Sequence, residues 1–176
     1  YSQFFEDKPS IVAFFYTRCE NPNKCSLTVT KLGQLQKTAT KKGLDKELNI
    51  AAITYDSNFD LPARIKTYCV NRGFLFTDNS RAFRVVSDFT VLKNQFELGV
   101  NYTGSIVNAH QIELFILNKG EVFYSFTQLQ WQIDEVLAIV ASPGRKKQDT
   151  AKRKPTQSYL SKAKTVSSAA SSLIVP

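Results

Sequence analysis

Cys19, Cys25 and His110 are the residues of this chain best suited to chemistry, and His110 is its only histidine. The two cysteines bracket a loop. Before it stands an unbroken apolar run, Ile11 to Tyr16, with the β-branched and aromatic character of a strand buried on both faces. After it, from Ser26, Leu27, Leu32 and Leu35 recur at roughly helical spacing. A strand-to-helix loop lies at the positive end of a helix dipole, where a thiolate is favoured and its pKa falls. Two thiols there suit either redox chemistry or a soft metal.

The elements that must position these groups follow in order. Tyr1 to Pro9 reads as a lead-in closed by the turn signal Asp7-Lys8-Pro9. A helix is expected from about Ser26, taken as its cap, to Lys42, with Gly43 as the stop. Leu48 to Tyr55 reads as a second buried strand, and Pro62 to Asn71 as a helix with proline in its first turn. Strand, helix, strand, helix with short connections implies a right-handed parallel crossover. Phe74 to Phe76 reads as a short edge strand, and Asp88 to Leu98 as a helix ended by Gly99. Asn101 to Ala109 is turn-rich and polar and leads to His110. Ile112 to Leu117, the turn Asn118-Lys119-Gly120 and Glu121 to Thr127 form a β-hairpin. Gln130 to Ala141 closes the domain as a helix. The fold class expected is an α/β, thioredoxin-like sandwich with a central mixed sheet flanked by helices.

In that fold the start of the hairpin lies beside the carboxyl end of the first strand, so His110 falls near Cys19 and Cys25. Two thiolates and an imidazole suit Cu(I) best, and Cu(II) or Zn(II) acceptably. Cys69, beside Tyr68 and Val70 in the second helix, reads as a buried, inert thiol. Trp131 and the phenylalanines read as core. Arg18 reads as pointing to solvent rather than balancing the thiolates. Asp56 and Asp60 read either as turn and cap residues ahead of Pro62 or as functional carboxylates.

Charge separates two regions. Tyr1 to Ser142 holds 15 Lys/Arg against 14 Asp/Glu, whereas Pro143 to Pro176 holds 8 against Asp149 alone. The net charge of +8 therefore sits in a tail, and a nucleic-acid-binding core is not supported. We divide the chain into a domain at 1–142 and a basic, Ser/Lys-rich disordered tail or linker at 143–176, either solvated or touching an anionic membrane surface. No stretch approaches the roughly 18 apolar residues of a membrane span. The absence of Met, and a start almost inside the first strand, read as a fragment or processed product, with any signal or anchor upstream. Three cysteines do not make a disulfide framework.

Several motifs together resemble one family. These are Thr17-Arg18-Cys19, Cys25 followed by Ser-Leu-Thr, Ile53-Thr-Tyr-Asp56 with Asp60 and Pro62, and Val107-Asn-Ala-His110 before an apolar strand. From about Pro9 to Ala141 the chain resembles the Sco/SenC proteins, thioredoxin-like copper-binding proteins that are membrane-anchored and help assemble the Cu(A) centre of cytochrome c oxidase. The resemblance implies copper held by Cys19, Cys25 and His110, with Asp56 as a carboxylate on the loop facing the site. It implies an oxidase subunit bearing Cu(A) and a thiol reductant protein as partners. It also implies an extracytoplasmic location, in a periplasm or mitochondrial intermembrane space, through an N-terminal anchor. The sequence departs from the family in having C-x5-C where C-x3-C is usual and in having Ala109 where Asp commonly precedes the histidine; the absence of the family's N-terminal hairpin fits truncation.

Two functions from different classes follow. A metallochaperone would hold one copper ion and pass it on by ligand exchange, turning over no substrate. A thiol–disulfide oxidoreductase would attack with Cys19 and resolve with Cys25. A dedicated thioredoxin wants C-x-x-C and a proline before the hairpin strand, yet there is no proline between Pro62 and Pro143. A peroxiredoxin motif is absent too, since Ala13 stands four before Thr17. Both omissions favour metal over redox catalysis. A degenerate thioredoxin-like scaffold is the third reading.

Overall fold

Alternation along the central strand organises the molecule. In β1 (Ser10–Phe15) every residue is buried. Ile11, Ala13 and Phe15 enter one apolar cluster, while Val12 and Phe14 enter the other. A strand apolar on both faces can only sit inside a sheet covered on both sides. The computed structural model describes residues 2–86, 88–103 and 106–142, so the basic tail lies outside the described residues.

The main sheet has five strands in the order β3-β2-β1-β6-β7. β1 pairs in parallel with β2 (Asn49–Thr54), which pairs in parallel with β3 (Ser80–Phe83). On its other side β1 pairs antiparallel with β6 (Glu113–Asn118), the first strand of a hairpin completed by β7 (Glu121–Thr127). This is the mixed sheet expected of a thioredoxin-like sandwich. One face carries α2 (Leu27–Lys41), α3 (Pro62–Val70) and α5 (Ile133–Val140), with Leu32, Leu35, Ile65, Trp131 and Leu137 in its core. The other is covered by α1 (Ser2–Glu6), by α4 (Phe89–Gln95), and by a separate antiparallel ribbon of β4 (Val100–Thr103) and β5 (Ile106–His110). Among the described residues no helix is long and apolar enough to cross a membrane.

Four local readings are corrected. The edge strand is Ser80–Phe83, not Phe74 to Phe76. The backbone of Leu75 is instead satisfied by one side chain, Gln36, whose Nε2 donates to Leu75 O at 2.6 Å and whose Oε1 accepts from Leu75 N at 3.0 Å. Asn101 to Ala109 is mostly ribbon rather than turns. Part of the lead-in is helical: Phe5 packs into the core while Asn49 Nδ2 donates to Phe4 O. The helix expected to run to Leu98 ends at Gln95, because Glu97 takes a left-handed φ of 49°. Helix α2 packs so closely that a Cβ on Gly33 would stand 2.5 Å from Gly73 O, and Gly73 itself turns at φ +76°.

Candidate metal centre

The two thiols are set by the end of β1 and the turn that follows it. After Tyr16 the chain leaves the sheet, and Thr17 is tied down by Asp60. The Asp60 carboxylate accepts from Thr17 N at 3.1 Å and from the hydroxyls of Thr17 and Thr54. Asp60 thus joins the ends of β1 and β2 and does not cap α3, whose first turn begins at Leu61 without a side-chain cap. Its burial raises its pKa. The C-x5-C spacing is absorbed by one wide π-type turn, Pro22–Ser26, in which Lys24 is non-helical at φ −114° and ψ −110°. Asn21 opens it by accepting from Asn23 N at 2.9 Å. This turn carries Cys25 into the core at 1% exposure, whereas Cys19 stays half-buried at the surface. Ser26 is not a side-chain cap of α2; its Oγ accepts from Arg72 Nε at 2.9 Å.

The imidazole arrives on the ribbon. Val100 pairs with His110, and Gln111 N donates to Gly99 O at 2.8 Å. Four further contacts aim the ring. Lys24 Nζ donates to His110 O at 3.2 Å, linking thiol turn to ribbon. Tyr55 Oη donates to Gln111 O at 3.2 Å. The rings of Tyr16 and Tyr55 stand 5.1 and 5.8 Å from the imidazole. These two tyrosines were not singled out from the sequence. Their signal was there: each is the aromatic residue just past the carboxyl end of a buried parallel strand.

His110 Nε2 lies 3.3 Å from Cys25 Sγ and 3.8 Å from Cys19 Sγ, and the three donor atoms all lie within 4.8 Å of one another. Bonds of about 2.0–2.3 Å to one ion set trigonal donors about 4 Å apart. The three atoms fit that requirement, and two sulfurs with one nitrogen make a soft set. Electrostatics divides the thiols. Cys19 falls to about 5, chiefly because the Cys25 thiol donates to it, helped by backbone hydrogen bonds from Cys25 and Asn21 and by His110. Cys25 is driven far up by the neighbouring Cys19 sulfur and by burial. The pair therefore shares one proton, with the negative charge on the outer sulfur. Burial lowers the His110 pKa, which keeps the imidazole neutral at pH 7 with a nitrogen lone pair to give. Burial, then the two sulfurs, pushes Tyr16 up to about 12, so it remains a neutral wall.

Asp56 is not among the clustered donors. It is buried and bound by Arg18, whose Nε donates to it at 2.9 Å. Arg18 therefore does not simply face solvent; it also lies 4.1 Å above the Phe59 ring. Cys69 is fully buried, and burial pushes its thiol up to about 12, the inert thiol expected. Trp131 is core as expected, with Lys31 Nζ 3.9 Å above its ring.

The family model described as SCO1/SenC matches residues 2–143. No curated protein matches the chain. Among solved structures, a SCO1/SenC family lipoprotein from Bacillus anthracis str. Ames is similar at a TM-score of 0.68 and 17% identity, covering 80% of this chain and 83% of that one. BsSco, a Sco-family cytochrome c oxidase assembly protein with a disulfide switch, is similar at 0.65 and 18% identity, covering 78% and 81%. Yeast Sco1 with copper bound is similar at 0.60 and 19% identity, covering 92% and 86%. At these identities the likeness shows a shared fold.

Proposed function

Since this chain belongs to the SCO1/SenC family, we propose that it is a copper carrier that receives one Cu(I) on Cys19, Cys25 and His110 and delivers it for assembly of the Cu(A) centre of cytochrome c oxidase. The observation that carries the reading is the convergence of two sulfurs and one imidazole nitrogen within 4.8 Å. Cys19 offers a ready thiolate at the surface, where an incoming ion meets it first. Cys25 must give up the shared proton to complete the set, so loading releases at least one proton. His110 enters neutral. Release to an acceptor runs in reverse, with an acceptor thiolate displacing the exposed Cys19 first. Copper bound to yeast Sco1 supports the choice of metal. The family's assembly role, stated for BsSco, supports an oxidase subunit as recipient.

The same reading takes 1–142 as the folded unit and 143–176 as a basic appendage, in keeping with a family match over 2–143. It places the protein outside the cytoplasm on a membrane anchor, as the lipoprotein relative suggests. Asp56 acts in it through Arg18, which precedes Cys19, and not as a ligand.

The thiol asymmetry favours a second reading, thiol–disulfide exchange. The Cys19 thiolate would attack a target disulfide and expel one target thiolate. Cys25, giving its proton to that leaving group, would then attack Cys19 Sγ as a thiolate and expel the second target sulfur as a thiolate that takes its proton from water, leaving a Cys19–Cys25 disulfide. A thiol reductant protein would restore the pair.

Copper titration of the reduced protein separates the two. Wild type should bind one Cu(I) per chain, Cys19→Ser and Cys25→Ser should each abolish tight binding, and His110→Ala should weaken it at least tenfold. Wild-type affinity in all three, together with fast reduction of insulin disulfides, would move the assignment to the oxidoreductase.

A further inference from the structure

Next to the thiol turn lies an open groove of about 620 Å³, lined by Thr17 and Arg18 at the turn's start and by Phe59, Arg64, Tyr68 and Arg72. Its charge comes from three guanidiniums laid on aromatic rings. Arg18 and Arg64 stand 4.1 and 3.9 Å from the centroid of Phe59, so their guanidinium carbons are no more than 8.0 Å apart. Arg72 stands 3.4 Å from the centroid of Tyr68. Stacking and single backbone bonds, from Arg64 to Phe59 O and from Arg72 to Tyr68 O, hold these heads in place. Each guanidinium has five N–H donors, so several remain for a ligand.

Of the three guanidiniums only Arg18 is paired with an acid, which leaves the charge of Arg64 and Arg72. Asp56 is engaged by Arg18, and Asp60 is buried under the hydroxyls of Thr17 and Thr54. Among the described residues, neither Arg64 nor Arg72 has a carboxylate within ion-pair reach. Because 1–142 is near charge balance, the surplus is a feature of this groove.

We propose that the groove docks an extended, carboxylate-rich segment of the protein that exchanges copper with this chain. An extended strand places side chains i and i+2 on one side about 6.6 Å apart, a spacing that suits guanidiniums held within 8.0 Å. Carboxylates pair bidentately with arginine. Rings that pre-order the arginines lower the ordering entropy of docking. The placement explains the purpose: Arg18 adjoins Cys19, and Arg72 bonds Ser26, which adjoins Cys25. A segment seated here touches both ends of the thiol turn and holds the partner's own copper ligands close to Cys19, raising their effective concentration.

This rests on the carrier reading, and the test keeps the two separable. Labelled hexaglutamate is titrated into the full, reduced chain by fluorescence anisotropy, with ¹H–¹⁵N shifts read in parallel because the basic tail also attracts an acidic peptide. Shifts are expected at Thr17, Arg18, Arg64, Thr67 and Asn71, and Arg64→Glu should remove them and weaken binding at least fivefold. Arg72→Gln should weaken it less, and both variants should take up Cu(I) as wild type does. Shifts confined to residues after 142, or equal affinity in Arg64→Glu, overturn the docking site and leave the copper reading untouched. Tripolyphosphate saturating the groove where hexaglutamate does not would also overturn it, in favour of an inorganic anion. Groove binding by a chain that fails to bind copper would overturn the carrier reading and the partner named here.

Discussion

The thiols and the imidazole reach the same point from two very different regions. The cysteines hang from β1, whose six residues are all buried and which is paired along both edges. His110 ends a two-stranded ribbon outside the main sheet, with a register shift between Asn101 and Tyr102 and with Val100 and Val107 buried. The first region is held by area removed from water, the second by a few directed bonds: Tyr55 Oη to Gln111 O, Lys24 Nζ to His110 O and Tyr102 Oη to Tyr55 O. The sulfurs are therefore expected to be as stable as the fold, and the imidazole to have its own, lower stability. Damage to one region should unfold the protein; damage to the other should cost metal and leave the fold.

The sharpest break is Phe15→Ala. Phe15 is fully buried and stacks on Tyr68 at 5.6 Å, so the substitution should destabilise the domain by about 3–5 kcal/mol in urea unfolding. A loss below about 1 kcal/mol would show that β1 does not dominate stability. Next comes the proton shared by the thiols. Alkylation of Cys19 in the metal-free protein should follow a midpoint near pH 5, with thiolate present above it and lost as pH falls through it. Because the largest cause is the Cys25 thiol, Cys25→Ala should raise that midpoint by more than about one unit, roughly 1.4 kcal/mol. An unmoved midpoint would assign the shift to the turn's backbone instead.

Tyr55→Phe tests the ribbon. It deletes one hydrogen bond, worth about 1 kcal/mol, and should weaken Cu(I) binding about fivefold. The β1 and β2 amides should keep their hydrogen-exchange protection while those of the ribbon lose some. Equal loss in both would mean that the two regions open together. Smallest should be Lys24→Gln, which removes a single bond between thiol turn and ribbon and should change Cu(I) affinity less than about threefold. A tenfold loss would make that link the main tether of His110.

Legibility followed the same division. β1, β2, the hairpin and the four larger helices were readable because each buries enough apolar surface to impress its period on the sequence. The ribbon was not, since a half-exposed strand pair with a bulge leaves no alternation. Phe74 to Phe76 misled because an apolar triplet looks the same whether a strand or the Gln36 side chain satisfies its backbone. Arg18 and Asp56 were recognised separately, but their pairing joins residues 38 apart and no local pattern records it.

What the amino-acid sequence determined by itself was the sheet's centre, the helices that cover it, and the three soft donor side chains, because burial and residue chemistry are written locally. Only the tertiary structure decided the distances at which the two sulfurs and the imidazole meet, that Cys19 carries the charge while Cys25 keeps the proton, and that Tyr16 and Tyr55 wall the imidazole. Each of these depends on distances between segments brought together only by folding, and electrostatic coupling at 3–4 Å cannot be read along a chain.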